Sequence, residues 1–293
     1  MPEITVELIK TLRDKTNAGM MDCKAALKEA DGDLDAAETV LRKKGVAAAD
    51  KKASRATSEG AIAARINDDA KTGVLVEVNC ETDFVAKNDK FRAFVESILD
   101  HIVGSEKTDS LEALLSQPYA GEAETLDLHI KEQVGALGEN MALSRFARFD
   151  LDGNGVVGQY IHMQGKVGVL IEVKASSPEL ASNEAFRDLV KDITLHIAAA
   201  SPICITREEV PQATIDKERE IYADQVKGKP ENIIEKILGG KLDKFFSTVC
   251  LLEQGFIKDT DQSIADLLKA KGTELGGDIT ISRFVRYAIG EEL

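Results

Sequence analysis

Gly73-Val74-Leu75-Val76-Glu77-Val78 and, about 95 residues downstream, Gly168-Val169-Leu170-Ile171-Glu172-Val173 are two versions of one segment. The likeness extends on both sides without gaps. Upstream, Gly60, Ile62, Ile66 and Lys71 match Gly155, Val157, Ile161 and Lys166. Downstream, Phe91, Arg92, Val95, Ile98, His101 and Ile102 match Phe186, Arg187, Val190, Ile193, His196 and Ile197. Each copy reads as a strand, a turn, a strand of Val and Ile character, a loop and an amphipathic helix. A closing strand follows: Leu143-Ser144-Arg145-Phe146-Ala147-Arg148-Phe149 resembles Ile281-Ser282-Arg283-Phe284-Val285-Arg286-Tyr287, but at an offset of about 138. The second copy has therefore gained about 43 residues between its helix and its closing strand. The fold class is α+β, a duplicated unit with an insertion in the second copy.

The loops inside this shared scaffold differ. Where the first copy has Glu81-Thr82-Asp83-Phe84-Val85-Ala86-Lys87-Asn88, the second has Ser176-Ser177-Pro178-Glu179. A loop that changes while its scaffold does not is free of the demands of folding, so its content is a candidate for function. Two readings of Thr82-Asp83-Phe84-Val85 are open. In one, Asn88 caps the following helix and Phe84 and Val85 fold back as a hydrophobic staple. In the other, a rigidly mounted Phe84 beside the Asp83 carboxylate enters an apolar pocket on a partner.

Around this core the chain divides into five parts. Residues 1–45 read as a three-helix module: Val6, Leu8, Ile9 and Leu12 form one apolar stripe, Met21 to Ala30 a second helix, and Ala36, Ala37, Val40 and Leu41 a third, ended by Gly45. Residues 46–59 lose periodicity and read as a linker. The first core subdomain is 60–150, and the second is 151–210 with 262–293. The insertion, 211–261, carries Ile215, Tyr222 and Val226, then Gly228-Lys229-Pro230, then Leu238, Leu242, Phe245, Val249 and Leu252 at alternating spacings of a coiled-coil seam. It is expected to be an antiparallel helical hairpin, although Gly239-Gly240 weakens its second helix.

With 293 residues, 43% of them hydrophobic, the chain can build two or three domains. Its net charge of −14 argues against direct nucleic-acid binding, which requires a basic face; Lys51-Lys52-Ala53-Ser54-Arg55 reads as a solvated linker. No apolar run approaches the roughly 20 residues of a membrane span, and Met1-Pro2-Glu3 does not begin a signal peptide, so a cytoplasmic location is expected. Cys23, Cys80, Cys204 and Cys250 are scattered, without the pairing of a disulfide framework or zinc site.

Several motifs are declined. Gly153-Asn154-Gly155-Val156-Val157-Gly158 matches GxGxxG but precedes a β-rich run, where the dinucleotide fingerprint needs a helix. Asp150, Asp152 and Asn154 imitate a calcium loop, yet Ile161 stands where the bidentate Glu belongs. His101 and His196 end equivalent helices and suit packing; His129 is expected to be solvated; His162 falls at a turn, exposed to a partner. No catalytic set, cofactor or metal site follows from these residues.

Thr82-Asp83-Phe84-Val85-Ala86-Lys87-Asn88 and Gly19-Met20-Met21-Asp22-Cys23-Lys24-Ala25-Ala26-Leu27 resemble the bacterial translation elongation factor Ts family. So do Gly228-Lys229-Pro230-Glu231-Asn232-Ile233-Ile234-Glu235-Lys236, Leu251-Leu252-Glu253-Gln254 and Phe284-Val285-Arg286-Tyr287, in order along the chain. Asn17, Met163-Gln164-Gly165 and Gly255 depart from the family pattern. The resemblance implies a guanine-nucleotide exchange factor that acts on elongation factor Tu by binding. It implies a ubiquitin-associated-like N-terminal module that contacts the partner's nucleotide domain through Arg13, Met20 and Met21. Asp83 and Phe84, in the loop Thr82 to Val85, are implied to disturb the partner's magnesium site, with His162 a weaker contact and the hairpin a means of homodimerisation. The rival reading is a protein-interaction scaffold without exchange activity.

Overall fold

The protein is described by a computed structural model covering residues 4–16, 18–121, 124–225 and 231–291. Asn17, Val226 and the Gly228-Lys229-Pro230 turn lie outside the described residues. Three helices open the chain: α1 (Val6–Thr16), α2 (Met20–Glu29) and α3 (Leu34–Lys52). The first copy follows as β1 (Glu59–Ile66), β2 (Thr72–Cys80), α4 (Asp83–Ala86), α5 (Asp89–Gly104), α6 (Leu111–Leu115), α7 (Leu126–Leu137) and β3 (Met141–Asp150). The second runs β4 (Gly155–His162), β5 (Val167–Ala175), α8 (Pro178–Ser182), α9 (Glu184–Ala200), α10 (Gln212–Gln225), α11 (Glu231–Val249), β6 (Gly255–Phe256), β7 (Asp259–Ser263), α12 (Ile264–Leu275) and β8 (Ile279–Ala288). No helix among the described residues is long and apolar enough to cross a membrane.

Each copy forms its own antiparallel sheet, ordered β1-β2-β3 and β4-β5-β8, and the two ladders shift register at the equivalent steps Glu77/Val78 and Glu172/Val173. Side chains alternate along the central strands, so each sheet has two buried faces. Val74, Val76 and Val78 pack on Phe91, Val95 and Ile98 of α5 and Ile130 of α7. Leu75 points the other way and meets Ile62, Val157, Leu170 and Tyr287 between the sheets. Two glycines let the sheets approach. A Cβ on Gly73 would lie 2.5 Å from Val157 Cγ1, and one on Gly168 would lie 2.3 Å from Ile62 Cγ2.

Charged pairs repeat the same symmetry. Buried Glu77 binds Arg145 Nε at 2.7 Å, and buried Glu172 binds Arg283 Nη2 at 2.7 Å. Each guanidinium then stacks on an aromatic ring of the other copy: Arg145 lies 4.1 Å from the Tyr287 centroid and Arg283 lies 4.2 Å from Phe149. A planar cation can satisfy both partners at once, through its edge and its face.

In the N-terminal module Ile9, Leu12, Cys23, Ala26, Leu27 and Ala37 make one small core. Asp33 starts α3 by accepting from the Ala36 amide at 2.7 Å. The helix does not end at Gly45 as expected; it continues to Lys52, so residues 46–52 are helical. Gly45 has a different task. It faces Gly135 of α7 so closely that a Cβ on Gly135 would sit 2.6 Å from the Gly45 Cα. Arg42 pairs with Glu124 and Glu132 across the same contact, and Lys131 reaches Asp50 at 3.4 Å.

In the inserted segment α11 runs through Gly239-Gly240, and neither glycine has a neighbour within 4 Å of an added Cβ. Arg219 with Glu235 (3.0 Å) and Lys241 with Gln225 (2.7 Å) join α10 to α11. Leu252 is not part of that seam; it lies beyond α11 and packs against the second core. His196 is buried and bonds Gln254 at 2.9 Å. His129 is not solvated as expected: it stacks on Tyr119 with centroids 3.9 Å apart, and burial pushes its pKa down to about 4.

Two measurements test this packing. Gly168→Ala should lower the guanidinium unfolding free energy by about 1–3 kcal/mol through overpacking, whereas Gly239→Ala should raise it by about 1 kcal/mol. Burial also lowers the pKa of His101 and His196. These rings bind protons more weakly folded than unfolded, so acid favours unfolding. Stability present above about pH 6.5 should fall as the pH drops toward 4, and His129→Phe should make that fall shallower in denaturation midpoints measured across the range.

Candidate functional site

The Asp83-Phe84 loop begins where β2 ends. Cys80 is fully buried, its thiol pushed up to about 12 by burial, and its Sγ donates to the Thr82 carbonyl at 3.2 Å. Thr82 is the N-cap of the single turn α4, its hydroxyl oxygen accepting from the Val85 amide at 3.3 Å. Asn88 caps the next helix by accepting from the Lys90 amide at 2.9 Å. Val85 and Ala86 turn inward onto the first core. Phe84 does not fold back with Val85. It stands 82% exposed, the most exposed large hydrophobic side chain among the described residues.

Beside it Asp83 binds Lys87 at 2.7 Å, and that hydrogen bond holds the Asp83 carboxyl below the usual carboxylate range. Asp83 is thus an anion at neutral pH, already partnered by one surface cation. The second copy has the same local architecture with different cargo. Ser177 caps α8 through the Leu180 amide at 3.2 Å, Leu180 and Ala181 are buried, and Glu179 occupies the outward position of Phe84.

The base of the loop is braced by Glu139 and Asn140, which sequence reasoning missed. Glu139 accepts from the Thr82 amide at 3.0 Å and from its hydroxyl at 2.7 Å. Glu81 accepts from the Asn140 amide at 2.7 Å and pairs with Arg55 at 3.4 Å. Asn140 in turn donates to the Arg55 carbonyl at 2.9 Å. Arg55 is exposed in the connection between α3 and β1, and its carbonyl ties that connection to the end of the first sheet. A signal was present: Glu139-Asn140 aligns with Gly277-Asp278 at the offset of the closing strands, a second place where the copies differ.

His162 ends β4, exposed, with its Nδ1 3.0 Å from the Tyr160 hydroxyl. The turn that follows holds Met163 and Gln164 at φ 49° and 56°, a left-handed conformation in two residues that are not glycine. Its far side docks on β1: the Ile62 amide donates to the Gly165 carbonyl at 2.8 Å, and Lys166 pairs with Glu59 at 2.6 Å. Glu59 is opposite Cys80 in the ladder, so the His162 turn and the Asp83 loop share one end of the first sheet. Arg13, Met20 and Met21 are also exposed, on the separate elements α1 and α2. The cysteines Cys204 and Cys250, distant in sequence, meet with sulfurs 3.6 Å apart, buried and free.

Caps and ion pairs here hold a backbone turn from which one aromatic ring projects, on a duplicated α+β scaffold. Residues 81–291 match the family described as Elongation factor TS. The chain belongs to the elongation factor Ts family, a family of translation elongation factors. It is 47% identical to elongation factor Ts of Trichlorobacter lovleyi over 293 residues, which covers 99% of this chain and 94% of the relative. It is 44% identical to that of Clostridium botulinum strain Alaska E43, covering 98% and 93%, and 43% identical to that of Syntrophotalea carbinolica, covering 99% and 94%.

Because Phe84 is 82% exposed and its counterpart is Glu179, Phe84→Glu should leave the unfolding free energy unchanged to within about 0.5 kcal/mol. A larger loss in chemical denaturation would mean that the ring supports the fold.

Proposed function

We propose that this protein binds elongation factor Tu in its GDP form and promotes GDP release by disturbing the partner's magnesium and phosphate site, so that GTP can enter. The observation that carries the reading is the exposed Phe84, held on a capped turn beside an ionised Asp83, in a copy of the scaffold whose twin has Glu179 there. An aromatic ring kept in water by a well-packed turn is suited to fill a partner's pocket.

The energetics are those of linkage. A factor that binds nucleotide-free partner more tightly than GDP-bound partner must, reciprocally, weaken GDP binding. A magnesium ion is among the largest local charges in a nucleotide site, so shifting it from the phosphates supplies much of that difference. No bond of the protein forms or breaks; the chain acts as an exchange factor by binding. Arg13, Met20 and Met21, on a ubiquitin-associated-like module, contact the partner's nucleotide domain. The second core subdomain, with His162 at its turn, contacts another part of it. Residues 211–261 form a hairpin through which two copies pair, and the factor works in the cytoplasm.

Asp83→Ala combined with Phe84→Ala should slow stimulated release of a fluorescent GDP from purified elongation factor Tu about tenfold or more, the scale of losing one aromatic anchor. Binding of the variant to the partner should stay largely intact. Unchanged release kinetics in stopped flow would remove the basis for assigning Phe84 this role.

A further inference from the structure

We propose that Glu139 is the positioning residue of the Phe84 turn, the group that sets the direction in which Asp83 and Phe84 are presented; this rests on the reading of that pair as partner contacts. The turn α4 has four residues, far below the length at which a helix is stable by itself. Its outward residue, Phe84, contributes no burial. Besides the Cys80 thiol on the Thr82 carbonyl and the packing of Val85 and Ala86, its N-terminus is held by one carboxylate that takes two donors of Thr82, the amide at 3.0 Å and the hydroxyl at 2.7 Å, while the hydroxyl oxygen caps Val85. Hydrogen bonds to an ionised acceptor are stronger and more directional than neutral ones.

The duplicated copy supplies the comparison. Helix α7 ends at Gly138 and α12 ends at Gly276, both left-handed caps with φ 85° and 77°. The next residue is Glu139 in the first copy and Gly277 in the second. A Cβ at Gly277 would lie 2.4 Å from Ser176 Oγ and 2.9 Å from Leu180 Cδ2, so both side chains would have to shift to admit one. The second copy closes the same junction without a carboxylate: the Asp278 amide donates to Ser176 Oγ at 3.0 Å and the Ser176 amide donates to the Asp278 carbonyl at 3.0 Å. What is particular to the copy that displays Phe84 is one carboxylate holding both donors of the cap residue Thr82.

Glu139 also leaves the same helix that receives the N-terminal module. Gly135 of α7 meets Gly45 of α3 backbone to backbone, and Glu139 follows at the end of that helix. The same helix α7 thus contacts both the Phe84 turn, through Glu139, and α3, the helix on which α2 with Met20 and Met21 packs. Displacing either group by about 1 Å is enough to cost an oriented contact much of its effect.

The test is a double-mutant cycle on the full chain, read as stimulated release of fluorescent GDP from elongation factor Tu across a range of factor concentrations. Glu139→Ala should lower the saturating release rate about tenfold with the half-saturating concentration changed less than about twofold. Glu139→Gln, which keeps one acceptor for Thr82, should recover part of the rate. In a Phe84→Ala background, Glu139→Ala should cause no further loss. An equal loss with and without Phe84 would show that Glu139 supports the fold and overturn the inference, as would a Glu139→Ala rate equal to that of the unaltered protein when Phe84→Ala alone is slow. If Phe84→Ala itself releases GDP at the unaltered rate, the contact reading fails first and the inference falls with it.

Discussion

The close approach of two three-stranded sheets, made possible by the missing side chains of Gly73 and Gly168, is the constraint on which the rest of the molecule depends. Each glycine admits branched side chains from the opposite sheet: Val157 and Leu170 over Gly73, and Ile62 and Leu75 over Gly168. At interior packing density such a contact has almost no slack. Pairs of the buried Glu77 and Glu172 with Arg145 and Arg283 flank it, and the reciprocal stacking of those arginines ties each copy to an aromatic of the other. Buried carboxylates paired in this way add little net stability, but removing either arginine would leave a buried charge uncompensated.

That arrangement brings the end of the first sheet, the Asp83 loop and the His162 turn to one side of the core through Glu59 and Lys166. The duplicated unit is a mount whose two copies have diverged where the mount does not constrain them. The first copy displays Phe84 and carries Glu139 behind it. The second displays Glu179, closes over Gly277 and accepts α10 and α11 between α9 and α12.

Much of the fold was legible because its signals are local or repeated. The duplicated strands, the helices after them, the closing strands and the inserted helical segment follow from periodicity and offset. The misreadings share one cause. Gly45 looked like a helix stop because glycine weakens helices, yet it is an approach point for Gly135, which sequence distance hides. His129 looked solvated among its charged neighbours, whereas its surroundings are Tyr119 and Phe94 from other elements. At the site, Phe84 stood out through the comparison of copies, while Glu139 required the same comparison at a second offset.

The sequence by itself determined the duplication, the α+β class, the insertion in the second copy and the singularity of the Asp-Phe loop, since all of these are patterns along the chain. Only the tertiary structure decided that Phe84 faces water while Val85 faces the core, that α3 extends to Lys52 and rests on α7, and that Glu139 grips Thr82. Those outcomes depend on close packing and hydrogen-bond geometry between residues far apart in the chain. Periodicity reports which face of an element is apolar, but not which other element will cover it.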